Sequence, residues 1–279
     1  MSKLKKALEK AKAAREGEGP LFDEGPGIEE AADIRSEEAV SSSEDVKPSY
    51  KQTQVLEADY SFLREKKITA LFPQEAAADQ IRFLRTRVLK RMKEPEANSL
   101  LVTSPNQGEG KTLTAVNLAI SISQEIGRTV LLVDADLRRP SVHKYFGFKV
   151  KLGLADYLLG KADIPDLLVN PGIEKLTIIP GGRPLPNSTE LLGAPRMEAL
   201  IKQLKGRYSD RFIIFDSSPV LTCADPIVFS NFIDGVIIVV EAEKTSRKEL
   251  TNALEFFKDK PVLGTVLNKV KSAQNLAYV

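Results

Sequence analysis

The chain has 279 residues, a hydrophobic fraction of 42% and a net charge of +2, so it can build a sizeable core and has too little charge bias to call for nucleic acid. A single cysteine, Cys223, excludes an internal disulfide framework and fits a reducing compartment. No apolar run approaches the roughly 18 residues a membrane span needs, and no apolar stretch follows the N-terminal charges as in a secretory signal, so a cytoplasmic protein is expected.

Residues 1–15, MSKLKKALEKAKAAR, set Leu4, Ala7, Leu8 and Ala11 at helical spacing in a basic segment, predicting a narrow amphipathic helix. It reads either as a solvated, fraying helix or as a docking helix for a partner or an anionic membrane surface. From 16 to 49 the composition turns to Glu, Asp, Gly, Pro and Ser. Ordering backbone costs about 1–2 kcal/mol per residue, and these residues bring too few apolar groups to offset it, so a disordered acidic linker is predicted. Residues 50–98 regain apolar side chains. A first stretch, LEADYSFLREKKITALF, is expected to dock on the main domain. A helix over 76–92 follows, with Ile81, Leu84, Val88 and Leu89 on one face and Arg82, Arg85, Arg87, Lys90 and Arg91 on the other.

The main domain spans 99–270, and 271–279 form a C-terminal tail. Apolar runs at 100–103, 130–133, 176–179, 212–215, 236–240 and 262–267 predict buried strands. Helical stretches at 112–124, 195–208, 226–232 and 247–257 lie between most of them. The alternation predicts an α/β fold, a mostly parallel sheet with helices on both faces, which binds ligands at the carboxyl ends of its strands.

Three motifs fall at such ends. LLVTSPNQGEGKTLTAVNLAISIS, 100–123, joins a strand, a glycine turn and a helix N-terminus, the parts of a phosphate cradle. Gln107, Gly108, Glu109, Gly110, Lys111, Thr112 and Leu113 are the cofactor-binding candidates, Lys111 for the β/γ-phosphates and Thr112 for Mg²⁺. Pro105 stands where GxxxxGK[ST] begins with glycine. In TVLLVDADLRRP, 129–140, a strand ends in Asp134 and Asp136. If strand geometry continues, both point the same way and can share a hydrated Mg²⁺, or one accepts a proton from an attacking hydroxyl. The other reading is a turn in which Asp134 caps and Asp136 pairs with Arg138. RFIIFDSSPV, 211–220, ends an apolar strand in Asp216, a Walker B pattern. His143, without a second His or Cys nearby, is no metal site, and Cys223 reads as a core thiol.

In this combination the motifs resemble Walker A, a second Walker motif of the DxDxR kind (Walker A′) and Walker B of the bacterial tyrosine autokinases of polysaccharide synthesis and export, a branch of the P-loop ATPases. The segments PNSTELLGAPRMEALIKQLKGRYSDRFIIFDSSPV, DGVIIVVEAEKT and GTVLNKV are similar to later parts of that family. The resemblance implies a P-loop NTPase fold using ATP and Mg²⁺ for protein-tyrosine phosphorylation. It implies catalytic roles for Lys111, Asp134, Asp136, Arg138 and Asp216, a metal held by Thr112, Asp134 and Asp216, and a purine contact from Asn268. One of the two aspartates would be the base, Asp134 being favoured for both metal and base roles with Asp136 assisting and not separable from it, and Arg138 would stabilise charge on the transferring group. It further implies a membrane-embedded polysaccharide co-polymerase with an activating cytosolic tail, which would recruit the chain to the inner membrane face. The family's ExxRxxR ring helix has a counterpart in Asp79, Arg82 and Arg85, so a homo-oligomer is expected. In place of the family's tyrosine cluster the tail offers only Tyr278 as phosphoacceptor. Tyr50 and Tyr60 are substitutes, and Tyr145, Tyr157 and Tyr208 are poorer ones. The alternative reading is a partition or septum-site ATPase switch without tyrosine transfer. Against it, Asn106 stands where those proteins carry an extra lysine. No basic platform interleaved with aromatics is present for nucleic acid.

Overall fold

Apolar strands without polar alternation must be covered on both faces, and this one requirement organises the chain. The computed structural model describes residues 53–92, 97–208 and 210–271. The chain divides into two units, Met1–Ser42 and Ser43–Val279, and all of the described structure belongs to the second. The helix expected at 1–15, the linker at 16–49, Tyr50 and Tyr278 lie outside the described residues.

All the expected strands form: β2 Ser99–Thr103, β3 Thr129–Asp134, β5 Leu176–Ile179, β6 Arg211–Asp216, β7 Gly235–Glu241 and β8 Val262–Asn268. Two short strands, β1 Gln54–Val55 and β4 Val169–Asn170, have no counterpart in the apolar pattern, since two residues are too few to show periodicity. The order is β1-β4-β5-β3-β6-β2-β7-β8, parallel throughout except for the β4–β5 pair. Alternate side chains enter two cores. Leu101, Leu131, Val133, Ile213 and Phe215 face one side of the sheet, and Leu100, Val102, Val130, Leu132 and Ile214 the other.

The helices are α1 Tyr60–Glu65, α2 Ala76–Arg91, α3 Lys111–Ser123, α4 Val142–Phe146, α5 Leu154–Leu158, α6 Ile164–Leu167, α7 Ser188–Leu192, α8 Pro195–Gly206, α9 Asp225–Phe229 and α10 Arg247–Glu255. The apolar helix α3 is buried almost all round, sandwiched between the sheet and the segment before β2. Asn117 on α3 clamps that segment: its Oδ1 accepts from the Ala70 amide at 3.0 Å and its Nδ2 donates to the Lys67 carbonyl at 3.2 Å. Leu63 and Ile68 bury beside it. On α2, Arg82 pairs with Asp79 while Arg85 reaches Glu125 at 2.7 Å and the Ser121 carbonyl at 3.0 Å.

Candidate active site

β2 pairs with β6 on one side, and β6 with β3 on the other, so three motifs far apart in sequence end side by side. Thr103 ends β2, and Asp134 and Asp216 are register partners at the ends of β3 and β6. The turn after β2 needs glycine at two places. Gly108 and Gly110 have φ of 84° and 99°, and a Cβ on Gly110 would meet Asn268 Nδ2 at 2.0 Å. Gly110 is the residue from which α3 starts, so the Lys111 and Thr112 amides open the helix at its positive end.

The cations and carboxylates here are buried and interlocked. Lys111 Nζ donates to Asp136 Oδ2 at 2.9 Å and lies 3.9 Å from Asp216 Oδ1. Burial works against its charge, but Asp216 and Asp136 outweigh this and hold its pKa above the ordinary value. Thr112 Oγ1 donates to Asp216 Oδ2 at 2.7 Å. The Asp136 Oδ1 accepts from Ser218 Oγ at 2.8 Å and the Arg139 amide at 3.1 Å. Asp134 Oδ2 accepts from the Ser141 and Val142 amides at 2.8 and 3.0 Å.

The DxD expectation needs correction here. The strand stops at Asp134, so Asp136 does not continue its direction; Asp134 pairs in register with Asp216, whereas Asp136 turns to Lys111 and Ser218. Nor does Asp136 pair with Arg138, which is held by Asp225. Asp134 and Asp216 each keep one oxygen, Oδ1, buried without a hydrogen-bond partner. Burial, then mutual repulsion, pushes the Asp134 carboxyl well above the usual carboxylate range. Burial also raises Asp216, with Lys111 and Thr112 partly offsetting it. Two adjacent buried carboxylates with free oxygens fit a divalent cation. Among the described residues no cluster of three or more His, Cys, Asp or Glu forms a cage, and Mg²⁺ takes only one or two carboxylates when substrate phosphates and water supply the rest.

Above this floor opens a cleft of about 630 Å³, lined in part by Gln107, Gly110, Lys111, Thr112, Asp136 and Arg138. Most of the residues singled out in the sequence therefore meet in one place. Leu113 does not line the cleft. Asn268 sits on the other side of the loop, donating to the Glu109 carbonyl at 2.9 Å. Glu109 itself is 2% exposed, and its carboxylate accepts from the Asn106 amide at 2.8 Å and from Thr245 Oγ1, tying the phosphate loop to the turn after β7. Asn106, in place of the rival family's lysine, donates to Glu249 Oε1 at 2.9 Å.

Sequence reasoning missed several cleft residues: Ser141, Ser218, Arg139, Lys144 and Tyr145 line it beside the motifs. Cys223, expected in the core, is half-buried on the cleft wall. Asp225 was also missed, and its only sequence signal is an aspartate before Pro226 at a helix start. Tyr60 is exposed at the start of α1.

The comparisons agree with this geometry. A family described as an AAA domain matches residues 100–265. The tyrosine-protein kinase YwqD of Bacillus subtilis (strain 168) is 32% identical over 209 residues, covering 74% of this chain and 86% of that protein. The putative tyrosine-protein kinase CapB of Staphylococcus aureus is 28% identical over 208 residues, 74% of this chain and 90% of its own. The kinase domain of the Escherichia coli tyrosine kinase ETK superposes with a TM-score of 0.70 at 26% identity, covering 84% of this chain and 95% of that domain. With its phosphate loop, paired strand-end carboxylates and these relatives, the chain belongs to the bacterial tyrosine autokinases, a branch of the P-loop ATPases, and it is a tyrosine-protein kinase.

Proposed function

We propose that the chain transfers the γ-phosphoryl group of ATP to tyrosine hydroxyls of its own kind, and that this phosphorylation regulates the length or export of an extracellular polysaccharide. The observation that carries the catalytic part is the pair of orphaned oxygens on Asp134 and Asp216 beside the Lys111–Asp136 bridge. Thr112, Asp134 and Asp216 would hold Mg²⁺, directly or through water, and the ion would neutralise charge building on the transferring group.

The chain's own groups would do the rest. Backbone amides of residues 107–112 and the α3 dipole would cradle the phosphates. Lys111 would exchange Asp136 for phosphate oxygens, a move that releases the Asp136 carboxylate toward the cleft. Asp136 lines that cleft, whereas Asp134 is fully buried beneath it, which supports Asp136 as the group that takes the tyrosine proton. As the new tyrosine O–P bond forms, the bond to the β-phosphate oxygen breaks and ADP leaves with the electron pair. Arg138 would face the charge that develops between them. Asn268 would bring the end of β8 against the purine side. A membrane partner with an activating tail and a ring of subunits built through Asp79, Arg82 and Arg85 belong to the same proposal, as does recruitment to the inner membrane face.

Intact mass and peptide mapping after incubation with Mg·ATP test it, with Lys111→Met as control. Phosphate on Tyr278, Tyr50 or Tyr60, reduced at least about 100-fold in the control, is the expected result. ATP turnover by the wild type without phosphotyrosine, alone or with an activator tail, would overturn it.

A further inference from the structure

Arg138 lies on the cleft wall but is not free to swing. Its Nε donates to Asp225 Oδ2 at 3.3 Å and its Nη2 to Asp225 Oδ1 at 3.4 Å, a fork on a carboxylate that is 0% exposed. The same Nη2 donates to Thr189 Oγ1 at 3.2 Å. Asp225 is itself fixed by the hydroxyls of Ser188 and Thr189, each of which donates to one of its oxygens. Three separate pieces of chain meet here: the loop after β3, the start of α7 and the start of α9. A buried carboxylate needs a paired cation, and guanidinium is the side chain whose geometry matches it in two bonds. The fork occupies Nε and Nη2, and among the described residues Nη1 has no hydrogen-bond acceptor. One edge of the guanidinium is anchored, Nη1 is left over, and the residue lines the cleft.

We infer that Asp225 is a positioning residue for phosphoryl transfer: with Ser188 and Thr189 it anchors Arg138 so that Nη1 is presented to the transferring group. The inference rests on the reading of Arg138 as the cation that faces that group. An unanchored arginine would have to order its long side chain during each turnover, and the anchor removes that cost in advance. It also explains why the PNSTELL stretch and the loop after β6 belong to one site although neither carries a reacting group.

The test measures autophosphorylation of the full chain with Mg·ATP, together with Mg·ADP affinity by calorimetry. Asp225→Asn keeps the shape and removes the charge; transfer should fall about 10- to 100-fold with ADP affinity within about twofold. Thr189→Val, which leaves the buried pair intact but removes the bond from Arg138 and the bond to Asp225, should lower transfer about tenfold, the low end for hydrogen bonds to charged groups. A structural role would not move the decisive readout, chemical rescue. Added guanidinium should restore transfer in Arg138→Ala and fail to do so in Arg138→Ala/Asp225→Asn. Asp225→Asn transferring at the wild-type rate, or equal rescue in both backgrounds, overturns the proposal while leaving Arg138 in place. Arg138→Ala transferring at the wild-type rate would remove the reading of Arg138, and the proposal with it.

Discussion

The two ends of the central sheet treat aspartate in opposite ways. At the carboxyl ends, Asp134 and Asp216 are fully buried, adjacent and incompletely bonded, each with an oxygen that accepts no hydrogen bond. At the amino ends, Asp234 stands just before β7, and its Oδ2 accepts from the Asn98 amide, the Ser99 amide and Ser99 Oγ at 3.0, 3.0 and 2.7 Å, while Lys205 pairs with Oδ1. Burial alone would raise the Asp234 pKa, but Lys205 and Ser99 outweigh it and hold the carboxyl below its ordinary value. Asp234 staples strand ends. Asp134 and Asp216 do the reverse and leave binding capacity unused, so a cation and phosphates can complete it. Incomplete satisfaction in a core is costly, and here it marks the end of the sheet that works.

The sharpest way to break this contrast is Asp134→Asn. The amide oxygen can still accept from Ser141 and Val142, and an uncharged N–H₂ takes the place of the orphaned Oδ1. Phosphoryl transfer should fall at least about 100-fold. Thermal stability without Mg²⁺ should hold or rise, by about 1 kcal/mol, as the repulsion between two buried carboxyl groups is removed. A variant that is both active and destabilised would show that the two ends do not differ as described.

Asp234→Asn is the mirror experiment. It should cost about 1.5–3 kcal/mol in denaturant unfolding, the range for hydrogen bonds to a charged group, and leave the transfer rate of the folded enzyme unchanged. Its pH dependence sharpens the point. A carboxyl depressed in the folded state adds stability that is fully present above its unfolded pKa, near 3.9, and is lost as pH falls through the folded value. The gap between wild type and Asp234→Asn should therefore stay constant from about pH 5 to 8 and close below about pH 4. A gap that widens in acid would contradict the assignment.

Gly110→Ala has a smaller expected effect. A φ of 99° disfavours any Cβ, and Asn268 Nδ2 already fills the space it would take, so Mg·ADP affinity should drop about tenfold. Unchanged affinity would mean that the close approach of β8 to the phosphate loop has no bearing on the nucleotide.

The sequence alone determined the elements and the reactive residue types. Apolar runs announced the six long strands, because burial on both faces leaves a continuous local signature, and GEGKT announced the phosphate loop, because glycines and a helix start must be neighbours in sequence. Those signals are written in short-range spacing, and they suffice for the fold class and for Lys111, Thr112, Asp134 and Asp216. Only the tertiary structure decided which carboxylates meet. Strand order sets β6 between β2 and β3, and that placement gives Asp134 a partner 82 positions away while its neighbour Asp136 turns to Lys111. The same holds for Arg138 with Asp225 and for Asn268 with Glu109. Each such pairing depends on crossovers and register, and no local pattern carries that information.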